Sequence, residues 1–342
     1  MRVLLVKMSS LGDVVHTFPA LTDAAAHGIR FHWVVEEAFA EVAALHPAVD
    51  KVIPIAWRRW RRDLSGSRGA LADFRRRLRS ESYDRVLGAQ GLIKSGVVTA
   101  LARADAKSGL APNSARERAA AIFYPERVAA PWGQHAIDRL RQLFAGTFGY
   151  PLSGPENFGI SLDAPRERNC VLLHGASWAS KLWPPSMWVA LAKQATERGL
   201  EVVLPWGDAH EHERAEQIAQ TCGAEPLPQS GLDELAQRLA GAALVVGVDS
   251  GLSHLSAALG VPTVVLYGAT DSHLTGCRGD RAVSLQAQFP CSPCLSRECG
   301  YAGVAPHWQG EAVQPACYSR LAPQQVWQAA TGVMDADRLL PI

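Results

Sequence analysis

No apolar run in the sequence approaches the roughly 20 residues that span a bilayer as a helix, so no transmembrane helix is expected. The amino-terminal apolar stretch, Val3 to Val6, stops at Lys7 and a polar turn. That is short of the roughly 7–15 residues of a signal-peptide core, and no secretion signal is expected. There is no G-x-G-x-x-G and no Walker A sequence, which removes the main support for a dinucleotide fingerprint or a P-loop. Charge of one sign is not in excess: 34 Lys and Arg against 33 Asp and Glu leave a formal net charge of +1. No global field therefore draws the chain to nucleic acid or membrane, and no RNA- or DNA-binding motif is present. Cysteine is sparse and uneven. Of seven, five crowd late in the chain: Cys277, Cys291, Cys294, Cys299 and Cys317. In a reducing compartment such crowding favours metal or reduced thiols over disulfides.

What is there reads as a soluble globular protein of 342 residues, 48% hydrophobic and 20% charged, long enough for two domains. Val3–Val6 is a β-branched apolar run that predicts a buried parallel strand. Further strands are expected at 30–35, 51–56 and 86–90, with helices at 39–45 and from about Lys94. Residues 104–134 are less regular, and 148–168, with Pro151, Gly154, Pro155 and Pro165, has the composition of a linker. The alternation then restarts: strands at 170–174, 201–205, 243–248 and 262–267, helices at 184–198, 211–221, 232–239 and 251–259. Two α/β sheets in series follow.

Chemistry-bearing residues fall at the strand-to-helix turns, where open α/β sheets bind ligands. Asp13 follows the first strand. It reads either as the N-cap of the next helix or as a carboxylate available as a general base, and the two are compatible. Val248-Asp249-Ser250-Gly251-Leu-Ser253-His254 follows a strand and opens a helix, whose first amides and dipole favour a phosphate; a plain capped turn is the alternative. Lys181, before Trp183-Pro184, reads as a loop lysine that either is solvated or compensates a leaving phosphate. Glu211, at a helix start, suits ribose hydroxyls or first-turn electrostatics. Arg58-Arg59-Trp60-Arg61-Arg62 reads as an anion-binding loop, whereas Arg75, Arg76, Arg77 and Arg79 read as a solvated helix face. Cys291-x2-Cys294-x4-Cys299-x17-Cys317 admits a structural zinc, but a tight second C-x2-C pair is missing. Free buried thiols are the favoured reading.

The run Lys7-Met-Ser-Ser-Leu-Gly-Asp13-Val-Val-His16-Thr-Phe-Pro-Ala-Leu21, with the Val248–His254 and His174–Pro184 motifs, resembles the bacterial lipopolysaccharide heptosyltransferases of glycosyltransferase family 9. The likeness runs from residue 1 to about 275. It is strongest to the subtype that adds the first heptose of the inner core. The resemblance implies an α/β fold of GT-B architecture, two Rossmann-like domains facing a central cleft. An acceptor-binding domain would span 1–155 and a nucleotide-sugar-binding domain 166–320, with a C-terminal helix over 321–342 packing back on the first. It implies inverting transfer of L-glycero-D-manno-heptose from ADP-L-glycero-D-manno-heptose to the 3-deoxy-manno-octulosonate of lipid A, with no cofactor. In that scheme Asp13 is the base and Lys181 steadies the leaving group. Ser9, Ser10, Gly12, Ser177, Glu211, Asp249, Ser250, Gly251 and His254 serve the donor. Arg58, Arg59, Arg61, Arg62, Gln90, Lys94, Arg116 and Arg139 (beside Arg141) face the acidic acceptor. The implied location is the cytoplasm, peripheral on the inner-membrane face.

Three departures stand beside the resemblance. Ser250 replaces a usual Thr, Ala176 replaces a frequent hydroxyl residue, and the cysteine segment looks more like that of the second-heptose subtype. Two other readings therefore stay open: a transferase with a different acceptor, and a non-catalytic, zinc-stabilised protein that binds acidic glycolipid.

Overall fold

Val3 to Val6 is fully buried, as an apolar run without alternation requires of a strand covered on both faces. It lies in β1 (Arg2–Val6), the centre of a six-stranded parallel sheet. The computed structural model describes residues 1–63 and 65–335. The chain divides into two compact units, Met1–Ile160 and a second that begins at Ser161.

In the first unit the strands are β1, β2 (Arg30–Glu36), β3 (Val49–Ile55), β4 (Ser82–Gly88), β5 (Arg103–Leu110) and β6 (Glu126–Val128), in the order β3-β2-β1-β4-β5-β6. β1 pairs Leu5 with Trp33 of β2 and with Leu87 of β4. The second unit has β7 (Asn169–Leu173), β8 (Glu201–Leu204), β9 (Glu225–Pro226), β10 (Leu244–Val248), β11 (Thr263–Tyr267) and β12 (Ala282–Gln286), in the order β12-β11-β10-β7-β8-β9. Counted within its own unit, this is the same doubly wound order as the first. The order reverses between β1 and β4 and again between β7 and β10. Ligands of such sheets bind outside the carboxyl ends at these reversals.

Strands β5, β6, β9 and β12 have no counterpart among those expected from sequence. The reason is composition. β5 carries Arg, Asp, Lys, Ser and Gly, and only its last three residues are buried. β6 and β9 have three and two residues, and β12 is half-buried throughout. These strands lie toward the sheet edges, where apolar content is not required.

Leu4, Val6, Val34, Ile53, Trp60 and Phe74 form a core on one face of the first sheet. Leu172, Trp183, Trp188, Val246, Leu266 and Tyr318 belong to that of the second. A buried side chain of this size contributes about 1.5–3 kcal/mol, so the sheets carry the stability and the turns at their carboxyl ends can be polar. The helix expected to pack back on the first domain is described over Pro323–Asp335. It seats Val326, Ala330 and Val333 in the core of the second unit, because its apolar stripe matches that sheet. Residues 336–342 of that expectation lie outside the described residues.

Candidate active site

The turn after β1 holds a carboxylate in a fixed charge state. Asp13 is not the N-cap of its helix (Leu11–Val15), as one reading had it; Ser10 is. Asp13 lies one turn in and its carboxylate reaches back. Its Oδ2 accepts from the Ser10 amide (2.7 Å) and the Ser10 hydroxyl (3.1 Å), and its Oδ1 pairs with Lys7 Nζ at 3.2 Å. The Lys7 side chain is 6% exposed and that of Asp13 45%, so the lysine lies inside and the carboxylate opens outward. Desolvation pushes the Asp13 carboxyl up. The Lys7 charge and the Ser10 hydrogen bonds outweigh it and hold the group below the usual carboxylate range.

Gln90, expected toward an acceptor, instead braces this turn. Its Oε1 accepts from the Met8 amide (3.0 Å), and its Nε2 donates to the Ser9 carbonyl (2.8 Å) and to Ser9 Oγ (3.3 Å). Both ends of the amide are engaged, and the span from β4 to β1 locks the loop that carries Asp13.

The basic residues of the first unit divide. Arg58, Arg61 and Lys94 lie close enough to act on one another: burial lowers the Lys94 ammonium and both arginines add to that, against Glu36 and Glu117. The buried Glu36 carboxylate accepts from the Arg58 amide at 3.0 Å, leaving the exposed Arg58 guanidinium over the Phe39 ring. Arg59 pairs with Glu37 on the surface (2.9 Å), an interaction worth little in itself. Arg62 and Arg116 are exposed. Arg139 is committed elsewhere. It donates to the carbonyls of Ala130, Pro131 and Ser114 and covers the Trp132 ring at 3.7 Å. Arg141 is buried against Asp23 at 2.7 Å. These two are structural clamps, because their helix (Ala136–Phe148) turns them into their own unit. Helical charge spacing does not reveal that direction. Arg75, Arg76 and Arg77 are exposed, as expected, but Arg79 is half-buried at the end of that helix and donates to the Leu101 carbonyl at 3.4 Å.

In the second unit the turns after β7 and β10 meet. Lys181 Nζ lies 2.6 Å from Asp249 Oδ2 and 4.8 Å from the centre of the Trp178 ring, whose other neighbour is Arg297. Asp249 is buried. Its Oδ2 also accepts from Thr270 Oγ1 (2.6 Å), and its Oδ1 faces His254 Nε2 at 3.4 Å. The other ring nitrogen of His254 lies 3.2 Å from Cys277 Sγ, and Tyr267 donates its hydroxyl to the same sulfur. Desolvation works against charge on both members of the Asp249–His254 pair. His254 and Lys181 nevertheless hold the Asp249 carboxyl well below the usual range. Cys277 and Asp249 raise the His254 imidazole above its ordinary value. The result is a row in which the half-buried Lys181 leads to the buried Asp249, His254 and Cys277. Of its members Cys277, and the neighbouring Thr270 and Arg297, were not among the candidate site residues read from sequence, and neither was Lys7 beside Asp13 in the first unit. Lys7 stood inside a quoted motif; the others lie too far along the chain for any local signal.

Ser250 caps the helix Gly251–Ala258, and its hydroxyl meets the Ser253 hydroxyl at 3.1 Å. Ser177 is exposed in the loop after β7. Glu211, in the first turn of its helix (Ala209–Cys222), accepts from the Gly207 amide at 2.8 Å. Its carboxylate fills the space a Cβ at Gly175 would take, 2.2 Å from Oε1. Only glycine there lets the carboxylate lie across the ends of β7 and β8.

Cys291, Cys294, Cys299 and Cys317 line one cavity of about 410 Å³ with Ser180 and Tyr301. All four are free thiols, but only Cys317 is buried; Cys291 and Cys294 are exposed, which corrects the buried-thiol reading. Among the described residues no three His, Cys, Asp or Glu side chains are placed to hold a metal ion. The cavity wall joins the lysine loop. Ser180 Oγ donates to the Ser296 carbonyl (2.6 Å), the Ser180 amide to the Arg297 carbonyl (3.1 Å), and Tyr318 OH to the Lys181 carbonyl (2.7 Å).

Comparison with known proteins gives these sites a context. A family model described as glycosyltransferase family 9 (heptosyltransferase) matches residues 71–305. Lipopolysaccharide heptosyltransferase 1 of Pseudomonas aeruginosa is 47% identical over 95% of this chain and 96% of that protein. E. coli heptosyltransferase WaaC, solved with ADP, superposes with a TM-score of 0.84 at 38% identity over 97% of this chain and 100% of that one. Its complex with ADP-2-deoxy-2-fluoro heptose gives 0.81 at 37% over 97% and 99%. Lipopolysaccharide heptosyltransferase 2 of E. coli, by contrast, matches at 32% over only 34% of this chain and 35% of that protein.

Proposed function

Since the chain belongs to glycosyltransferase family 9, the heptosyltransferases, we propose that it transfers L-glycero-D-manno-heptose from ADP-heptose to the 3-deoxy-manno-octulosonate of lipid A, the first heptose of the inner core. The chain is a glycosyltransferase of GT-B architecture, which removes the non-catalytic binding-protein reading. The extent of the likeness to heptosyltransferase 1, against a third of the chain for heptosyltransferase 2, favours the first-heptose acceptor.

The observation that carries the mechanism is the Asp13 carboxylate, ionised, braced and open on one side. Asp13 takes the proton of the acceptor hydroxyl as that oxygen bonds to the anomeric carbon. The bond from that carbon to the ADP phosphate breaks, its electrons leave with ADP, and the anomeric centre inverts. One carboxylate suffices, since the leaving group needs charge compensation rather than a proton. Lys181 and the amides opening the helix Gly251–Ala258 supply it. Asp249 is itself an anion, and its part is to aim Lys181 rather than to touch phosphate. Glu211 accepts from ribose hydroxyls. Arg58, Arg61 and Lys94 attract the carboxylates and phosphates of the acceptor. Contact with the cytoplasmic face of the inner membrane follows from an acceptor that is a lipid.

The test is ADP release from ADP-heptose, with lipid A bearing 3-deoxy-manno-octulosonate or with its heptosylated form. Release dependent on the first acceptor is expected. Release with only the heptosylated acceptor would move the protein to the other subtype. The low Asp13 value gives a second expectation. A base with a depressed pKa stays active as the pH falls, and its limb lies below the ordinary value of about 4. Lys7→Met leaves desolvation opposed only by Ser10, so the acid limb of kcat/KM is expected at higher pH. An unchanged profile would separate Lys7 from the base.

A further inference from the structure

The helix Ile93–Leu101 turns Ile93 (43% exposed) and Val97 (41%) to the surface one turn apart. Beside it the 3₁₀ turn Arg118–Phe123 exposes Ile122 at 69%. The two segments touch: a Cβ at Gly96 would lie 2.4 Å from the Phe123 ring. Single exposed apolar residues are ordinary, but large aliphatic side chains gathered on one face call for a partner.

The surroundings say which. Arg116 and Arg118 are exposed, and the exposed Glu117 between them is engaged with the helix start, its carboxylate accepting from the Ile93 amide at 2.6 Å, so two guanidiniums stand against one carboxylate. Trp132, 55% exposed, stands nearby under the Arg139 guanidinium. Arg139 in turn holds the Ser114 carbonyl, two residues before Arg116. Aliphatic residues flanked by arginine and an exposed tryptophan match the boundary between anionic headgroups and acyl chains.

We infer that this face of the first unit rests on an anionic phospholipid bilayer, with Ile93, Val97 and Ile122 entering the headgroup–acyl boundary and Arg116 and Arg118 meeting the phosphates. The inference rests on the lipid-acceptor reading above. Lys94 follows Ile93 directly, so the acceptor's sugar would be bound where its fatty acids stay in the membrane.

The test is flotation with vesicles of phosphatidylethanolamine and phosphatidylglycerol, against vesicles of phosphatidylcholine alone. Wild type is expected to float with the anionic vesicles and to be released by salt. Val97→Asp with Ile122→Asp is expected to reduce the bound fraction about tenfold. It should lower turnover on vesicle-embedded acceptor in proportion and leave turnover on fatty-acid-stripped acceptor unchanged. Ile122→Trp, a milder change, is expected to tighten binding. Wild type that does not float, equal binding to neutral vesicles, or a double variant that floats like wild type would overturn the surface. Flotation as expected, without turnover of either acceptor by wild type, would support the surface and fail the proposed function.

Discussion

Asp13→Asn is expected to lower kcat by about 10²–10⁴-fold, the range for loss of a positioned general base, with little change in affinity for ADP. Asparagine keeps the size of the side chain, and its oxygen can still accept from the Ser10 amide that Asp13 Oδ2 holds at 2.7 Å. It cannot take a proton from the attacking hydroxyl. The ADP-binding residues proposed here lie in the second unit, so calorimetric ADP affinity serves as the control. Lys7, 6% exposed, loses its counter-charge, so some loss of thermal stability is also expected. Removing one partner of a well-buried pair costs about 3–5 kcal/mol, and the exposure of Asp13 makes this loss smaller. If kcat stays within a few-fold of wild type, Asp13 is not the base and the mechanism fails at its first step.

Lys181→Met is expected to do two things that a second substitution separates. Loss of the cation removes compensation for the departing diphosphate, about 10²–10³-fold in kcat by analogy with the loss of one oxyanion donor. It also leaves Asp249 buried with only Thr270 and His254, which destabilises the fold. In Lys181→Met with Asp249→Asn the uncompensated charge is gone. Thermal stability is expected to recover and turnover is not. Recovery of both would make the lysine a structural partner of Asp249 and no more.

The same pair has a pH signature. A carboxyl lowered on folding stabilises the native state fully above its unfolded value of about 4, and that contribution fades as the pH falls toward the folded value. Melting temperature of wild type should therefore drop below about pH 4 more steeply than that of Asp249→Asn. Parallel curves would show that the pair contributes nothing to acid stability.

The sequence was readable where a local rule forces one structure. A β-branched apolar run of four or five residues before a polar turn reads as an inner parallel strand, and the turns that carry Asp13 and Asp249 follow such runs, Val3–Val6 and Leu244–Val248. Strands toward the sheet margin escape that rule, as β5, next to the edge strand β6, shows with its lysine and arginine. Charged residues escape it differently. Arg58 and Arg139 look alike in sequence, yet one guanidinium is on the surface and the other holds three carbonyls. Which way a helix faces is settled by the tertiary packing alone. The buried row behind Lys181 is the extreme case: Asp249 finds Thr270 across 21 residues, and His254 finds Cys277 across 23.

The thiol-lined cavity has a practical consequence for chemical probes. Its exposed Cys291 and Cys294 are reachable by electrophiles, and its wall includes Ser180, the residue before Lys181. A covalent label placed there sits against the carbonyls of Ser296 and Arg297 that tie down the lysine loop. Labelling Cys291 or Cys294 would therefore reach the wall that the Lys181 loop shares, and a reagent the size of the cavity would report on, or disturb, how that loop is held.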